Sequence, residues 1–469
     1  PPFRFFPASF SFPLPLASFA FTNTTISTID PNIRAPYVQS WTVSLQRELM
    51  SGTVLEIRYV GNRGVRLWHT FNINEVNIYE NGFLREFLAA QNNLAISRAN
   101  GQNSFANVGL PGQVPLRIFE AAFAGLPPSQ GFSNSNFITL LQTGQAGALA
   151  NILSSNSTYF CRLVGSAFEP CARLGFTSAG QFPVNFFRLN PFVGTARLLS
   201  DNSFSSYNGL QVELRHRFSR GLTFNLNYSW GHALTDRYNK NVDNASNFAT
   251  LRNRRLDRGP SPFDIRHVFQ AFGTYELPFG PGRRFASTSS VANKVISNWV
   301  VGWIVRWQTG LPFKLSSGRN TVNQEDAGVV LNGVTSSDLQ KMVGVFKPSG
   351  RPDVFFLDPK VVGSDGRANP AFLLPPTTPG QFGSFVYLYG PNFVTADLSV
   401  AKALPLVGEK LRMEFRTEFV NAFNHPIFEV PTGGTFSVVP ISITSTAFGR
   451  TTTTMTLPRQ VQFRIRLAF

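Results

Sequence analysis

The chain has 469 residues, with 42 Lys and Arg against 26 Asp and Glu, a formal net charge of +16. Only 14% of the residues are charged, against about 25% in ordinary soluble domains, too few for the surface that keeps a large soluble protein apart from its neighbours. Phe (47), Gly (38) and Pro (32) are abundant, a composition of strands and loops that excludes a helical bundle.

The opening PPFRFFPASFSFPLPLASFAF is apolar but broken by prolines and does not start with Met, so it does not read as a signal peptide. It reads as the start of a fragment whose true N-terminus lies elsewhere. No run of 18 or more apolar residues occurs, so no transmembrane helix is expected. The first period-two segments are QSWTVSLQRE (39–48) and TVLEIRYVG (53–61). Next, NGFLREFLAAQNNLAISRA (81–99) places Phe83, Phe87, Ala90 and Leu94 on one helical face, with Asn81 as N-cap. It reads as a helix packed on a barrel mouth; a membrane-surface helix is the alternative, and the lysine-free polar face argues against it. Segments 101–206 and 316–390 are rich in Gly, Pro, Ser and Asn and read as mostly irregular. Within the first, Cys161 and Cys171 stand ten apart in a turn-rich stretch. A local disulfide and two free thiols are both open, and the disulfide is the expectation in an oxidising compartment.

The remaining alternating segments are YNGLQVELRHRF (207–218), GLTFNLNYSW (221–230), IRHVFQAFGTYEL (265–277), NWVVGWIVRWQ (298–308), FVTADLSVAK (393–402), KLRMEFRTEF (410–419) and the closing strand 460–469. Nine strands of roughly ten residues are long beside the usual five or six. Ten residues tilted near 45° rise about 23 Å, the height of an outer-membrane barrel's apolar band. Long connections at 62–206, 231–264, 309–392 and 420–459 alternate with shorter ones at 49–52, 219–220, 278–297 and 403–409. Outer-membrane barrels have short periplasmic turns and long extracellular loops, and a soluble sandwich has no reason to sort its loops this way. The expected fold is all-β: an antiparallel transmembrane β-barrel, partial, with about 9–10 long strands, long extracellular loops and one short helix in a loop. Residues 1–38 would be an upstream segment of this truncated barrel and 39–469 its C-terminal part. Val461, Phe463, Ile465, Leu467 and Phe469 would face lipid, and Gln462, Arg464 and Arg466 a watery lumen. Trp299 and Trp307 sit near opposite ends of their strand, as interfacial girdle aromatics do.

DPNIRAPYVQSWTVSLQREL (30–49), LEIRYVGNRGVRL (55–67), RNRRLDRGPSPFDIRHVF (252–269), YELPFGPGRRF (275–285), FRTEFVNAFNHPIFEVP (415–431) and FGRTTTTMTLPRQVQFRIRLAF (448–469) together resemble the barrel domain of Oar-like TonB-dependent receptors. The resemblance implies a barrel of about 22 strands, an N-terminal plug, energy from the TonB complex and a terminal aromatic read by the barrel-assembly machinery. Phe469 occupies that position. The plug, the TonB-contacting segment and roughly the first half of the barrel have no counterpart here, so contact with TonB would run only through a missing N-terminal region.

The densest charge cluster is Arg252, Arg254, Arg255, Asp257 and Arg258, with Asp264, Arg266 and His267. It can be read as a patch gripping an anionic solute or lipopolysaccharide phosphates, or as an Arg/Asp network that stiffens a loop base. NAFNHPIF (421–428) can be a ligand loop, but Asn and Pro favour a strand-ending turn. The five histidines are scattered without metal-ligand spacing, and no G-x-S-x-G, Walker or H-E-x-x-H motif occurs. No enzyme activity, cofactor or metal is expected, and nucleic acid is not an expected partner because no stacking module accompanies the basic residues. The expected partners are outer-membrane lipid and lipopolysaccharide, the assembly machinery and an unnamed bulky solute taken up or bound at the surface of a Gram-negative cell. The competing readings are a passive porin or adhesin barrel and a soluble secreted β-sandwich.

Overall fold

The computed structural model of the protein describes residues 16–237, 247–348, 353–407, 411–429 and 441–468. Nine long strands form one antiparallel meander: Tyr37–Met50, Thr53–Asn72, Thr195–Ser219, Leu222–Thr235, His267–Glu276, Trp299–Gln308, Phe393–Val407, Leu411–Val420 and Gln460–Ala468. Each pairs with its neighbours in chain order, and the first and last lie at the two edges of a sheet that does not close. A short strand, Thr25–Ile29, adds in parallel to the start of Thr195–Ser219. The sheet is a transmembrane barrel wall, and among the described residues the other sheets have only two or three short strands, too small to form the second layer of a sandwich.

Two strands run further than alternation suggests. Thr53–Asn72 and Thr195–Ser219 have 20 and 25 residues and stay paired above the others, through Leu67↔Ser203 to Asn72↔Arg197. The register shifts on either side of Leu67, and Arg66 has φ 58°. These bulges break the period-two pattern, which hid the extensions in the sequence.

Cross-strand register sorts the two faces. On one, Trp299, Val301, Trp303, Val305 and Trp307 lie opposite Lys402, Val400, Leu398, Ala396 and Val394. Further along, Phe419↔Val461, Thr417↔Phe463, Phe415↔Ile465 and Met413↔Leu467 continue the apolar row. Phe463 is 70% exposed and Ile465 66%, so protein does not cover them and hydrocarbon must. On the other face, Glu414↔Arg466, Arg416↔Arg464 and Glu418↔Gln462 form polar rungs. Moving an Arg to the lipid side would cost about 2–4 kcal/mol at mid-bilayer, so a one-residue slip is strongly disfavoured in strands such as Leu411–Val420 and Gln460–Ala468 that carry lumenal arginines. Aromatic rings roof glycines on the outer face: a Cβ on Gly61 would stand 2.1 Å from Trp41, and one on Gly273 would stand 2.6 Å from Trp303.

The long connections gather at one end and are folded, which corrects the expectation of irregular segments. Helix α1, Phe83–Ala99, buries Phe83, Phe87, Ala90 and Leu94 as its spacing predicts. Its N-cap is Gly82, in the left-handed region at φ 78°, not Asn81. The Asn81 side chain instead accepts from the Phe83 amide and donates to the Asn77 and Phe186 carbonyls, so it braces the turn before the helix. Five further helices follow within 101–206: α2 (Arg117–Ala122), α3 (Ser135–Gln142), α4 (Ala146–Ser155), α5 (Ser157–Val164) and α6 (Glu169–Arg173). At five to ten residues each, they are too short to show a clear period. They pack with α1 around a phenylalanine-rich core including Phe83, Phe87, Phe105, Phe119 and Phe160. Cys161 and Cys171 are bonded inside it, both fully buried. A second apolar core, with Phe313, Val329, Phe356, Leu388, Ile443 and Phe448, lies within the connections after Gln308 and after Val420.

The opposite end has tight turns at Gly52 (φ 75°) and at Arg220–Gly221 (φ 52° and 84°). One connection there is longer and carries helix α7, Ser290–Ile296. Lys402 belongs to the outer row, yet it is only 8% exposed. Its Nζ donates to the carbonyls of Val295 and Ser297 at 2.7 and 2.8 Å, at the C-terminal end of α7, and lies 4.9 Å from the Trp299 ring. A cation is at home there because the last carbonyls of a helix carry partial negative charge.

Candidate functional site

The polar face is concave. A cavity of about 690 Å³ is lined by Arg215 on one strand and by Arg416 and Glu418 on another, with four strands between them in the sheet. Phe272 and Ile304, opposite one another, form its floor. They are 47% and 59% exposed, an apolar patch between the charged side chains of Arg215, Arg416 and Glu418. Asp397, paired with Ile304, accepts from the Asn421 amide at 2.8 Å. Asn421 has φ 51°, and its side chain holds the carbonyls of His425 and Leu457. The segment 421–428 therefore begins as a strand-ending turn at the channel rim.

Above the channel, three long connections are tied by polar groups, with Asn74 and Asn323 fully buried among them. Glu75 accepts from Thr250 Oγ1, the Leu251 amide and Asn323 Nδ2 at 2.7, 2.6 and 2.8 Å. Gln324 accepts from the Val76 amide and donates to the Asn74 carbonyl. Asn247 bridges them, donating to Glu325 Oε1 at 2.7 Å and accepting from the Asn72 amide. The helical unit closes onto the same loop: the Ala148 amide donates to Asn320 O, and a Cβ on Gly147 would stand 2.3 Å from the Asn323 nitrogen. Burial sets the charges beneath. The Asp257 carboxyl is pushed up to about 6 by burial, against the Ala249 amide and nearby Lys314. Burial pushes Lys314 down and Glu325 up.

The arginine-rich cluster divides into separate places. Arg252 binds Glu80 Oε2 at 2.7 Å and lies over the Tyr79 ring. Arg254 lies over Phe248 and Arg258 over Phe204, while Arg255 is exposed. Asp257 accepts from the Ala249 amide. Asp264 and Arg266 form a separate hub. Asp264 is 1% exposed, accepts from the Ala233 amide and Tyr389 Oη, forms an ion pair with Arg266 Nε at 3.2 Å and meets His232 Nδ1 at 3.2 Å. Tyr389 in turn accepts from Arg266 Nε at 2.8 Å. Burial and the Asp264 carboxylate raise the Tyr389 hydroxyl, which stays protonated as a donor. His267 lies apart, bonded to Tyr228 Oη. Phe469 lies outside the described residues. Sequence reasoning missed Glu75, Asn323, Gln324 and Tyr389. The polar run NQED (323–326) inside a long connection was the one visible hint.

An antiparallel meander with a hydrocarbon-facing side, a charged concave side and the four longest connections at one end defines an outer-membrane β-barrel. The chain belongs to the outer membrane beta barrel domain family, whose model matches residues 2–462, and its place is the outer membrane of a Gram-negative bacterium. Among solved structures it is similar to the FrpB iron transporter from Neisseria meningitidis, at 8% identity and TM-score 0.32, covering 95% of this chain and 33% of that one. It is also similar to P. aeruginosa FpvA bound to heterologous pyoverdines (8%, TM-score 0.31, 93% and 27%) and to the FpvAI–pyocin S2 complex (8%, 0.31, 93% and 28%). The chain thus spans about a third or less of the length of these proteins. No curated protein matches it.

Proposed function

We propose that the chain is the C-terminal part of the barrel of an Oar-like TonB-dependent receptor, which captures a bulky solute at the cell surface and takes it up. The observation that supports this is the interlocked cap. Two apolar cores and the Glu75–Asn323–Gln324 knot build a shaped surface over the channel. A passive pore gains nothing from a cap with its own buried cores, whereas capture by large loops requires ordered walls. In this reading Phe272, Ile304 and the lumenal arginines lie along the solute's route. The exposed Arg252, Arg255 and Arg258 offer contacts to lipopolysaccharide phosphates, and Phe469 is the assembly signal. Energy would come from TonB through a region upstream of the barrel. The chain would perform no catalysis and hold no cofactor.

The main rival is a passive porin or adhesin. Planar-bilayer conductance of the full-length protein separates them. The receptor reading expects no steady open current; a stable, solute-permeable current in the intact protein would overturn it.

A further inference from the structure

The connection between the His267–Glu276 and Trp299–Gln308 strands lies at the short-turn, periplasmic end, yet it runs from 277 to 298. Its sequence, LPFGPGRRFASTSSVANKVISN, holds three cations and no carboxylate. The other described turns at that end, at Gly52 and Gly221, are minimal, so twenty extra residues require a reason. The fold of this segment supplies one. Gly280, with φ 110°, donates to Phe285 O, and Phe285 donates back to Pro278 O. This tight loop brings the rings of Phe279 and Phe285 within 5.5 Å while leaving them 38% and 49% exposed. Asn293 then bonds the Ser287 amide and carbonyl, and Ser289 caps α7. On α7, Val291 and Val295 share a face four residues apart and are 71% and 61% exposed.

Where the helix sits decides what that face meets. Lys402 and Trp299 are a cross-strand pair on the hydrocarbon-facing side. Both bind α7: Lys402 Nζ holds the Val295 and Ser297 carbonyls, and Trp299 Nε1 donates to the Val295 carbonyl at 2.8 Å. The helix is therefore fastened to the outer wall of the barrel at its periplasmic rim, not inside the channel. Its exposed valines stand on a helix clasped to the end of the apolar row at Trp299. Arg284, whose guanidinium lies 5.5 Å from the Phe285 ring, and Lys294 on α7 are exposed beside them. Arg283 is held by Glu276 at 2.8 Å.

We infer that residues 279–296 form a foot that lies on the periplasmic leaflet, with Val291 and Val295 seated among acyl chains and Arg284 and Lys294 on anionic phospholipid phosphates. An apolar face flanked by cations is the pattern of an interfacial segment, and this one is continuous with a surface already in hydrocarbon. Lys402 acts as its clasp. The lysine gains carbonyl partners for a charge on the lipid side, and the helix gains a fixed position.

The test uses the protein reconstituted in phosphatidylethanolamine vesicles with and without phosphatidylglycerol. Both native cysteines are bonded to each other, so Val295→Cys carries a single fluorophore. The foot predicts at least twofold quenching by brominated acyl chains and protection from aqueous iodide. It also predicts that Arg284→Gln with Lys294→Gln weakens lipid quenching only when phosphatidylglycerol is present. Quenching by iodide alone would overturn the inference. So would shielding from both quenchers, which would mean a protein partner covers the face. In a second arm, Lys402→Met should cut lipid quenching at Val295 several-fold while the heat-modifiable folded barrel band persists; unchanged quenching with a folded barrel would also overturn the inference.

Discussion

Tyr389 donates its phenolic hydrogen to Asp264, 125 positions earlier in the chain, and this bond ties two walls of the channel mouth. Asp264 sits at the base of the connection after Leu222–Thr235, and Tyr389 ends the connection before Phe393–Val407. Arg266 and His232 surround the same carboxylate. Removing the hydroxyl leaves a buried charge with one donor fewer, which costs about 1–3 kcal/mol. Tyr389→Phe is expected to raise amide hydrogen exchange in segments 259–266 and 385–392 while the strands below stay protected. Unchanged exchange in both segments would show that the hub does not hold the mouth.

The Asp257 carboxyl gives the cap a pH dependence of definite sign. Burial raises it from the ordinary value of 3.8 to about 6, so the fold favours its protonated form. The resulting penalty is absent below the unfolded value near 3.8, grows as pH rises, and is complete above about 6. A two-unit shift corresponds to at most about 3 kcal/mol. Glu325, also raised by burial, acts in the same direction. Resistance of the cap to proteolysis should therefore fall between pH 4 and 7, and Asp257→Asn should flatten part of that fall. An identical pH profile in the variant would assign the effect elsewhere.

The Cys161–Cys171 bond closes a ten-residue separation between α5 and α6. In the chain-entropy account a loop of this size stabilises by about 3 kcal/mol, and the sulfurs also fill the phenylalanine core. Replacing both with Ser should loosen α5 and α6, seen as early proteolytic cuts between 156 and 180. The heat-modifiable migration of the barrel should not change, because the helical unit packs above the membrane-spanning strands. Loss of barrel folding in this variant would contradict that separation.

All nine long strands were legible because a wall between lipid and water forces each side chain to one face, and the alternation is written residue by residue in stretches such as QVQFRIRLA and TFNLNYSW. The sorting of long and short connections was legible for the same reason, since strand ends are visible. What bulges interrupt was not: the extensions beyond Gly64 lose their period at Arg66. The small helices were hidden because five to ten residues are too few to establish a period, although Asn134 and Asn156 do serve as caps. The mouth was least readable. Glu75 and Asn323 are 248 positions apart, and a single polar side chain in a loop carries no periodic signal. The arginine cluster was visible as composition, but its members take partners as different as Glu80, Phe248 and Tyr389, which adjacency in sequence cannot foretell.

The claim on which the account stands is that hydrocarbon bathes one side of this sheet and water the other. Spin labels placed singly at Val301, Phe463 and Ile465, and at their neighbours Val300, Gln462 and Arg464, test it most directly in the reconstituted protein. The account predicts that oxygen dissolved in the acyl chains relaxes the first three and that a water-soluble nickel chelate relaxes the second three, alternating residue by residue. Labels at Val301, Phe463 and Ile465 that are immobile and shielded from oxygen, in a particle soluble without detergent, would contradict it.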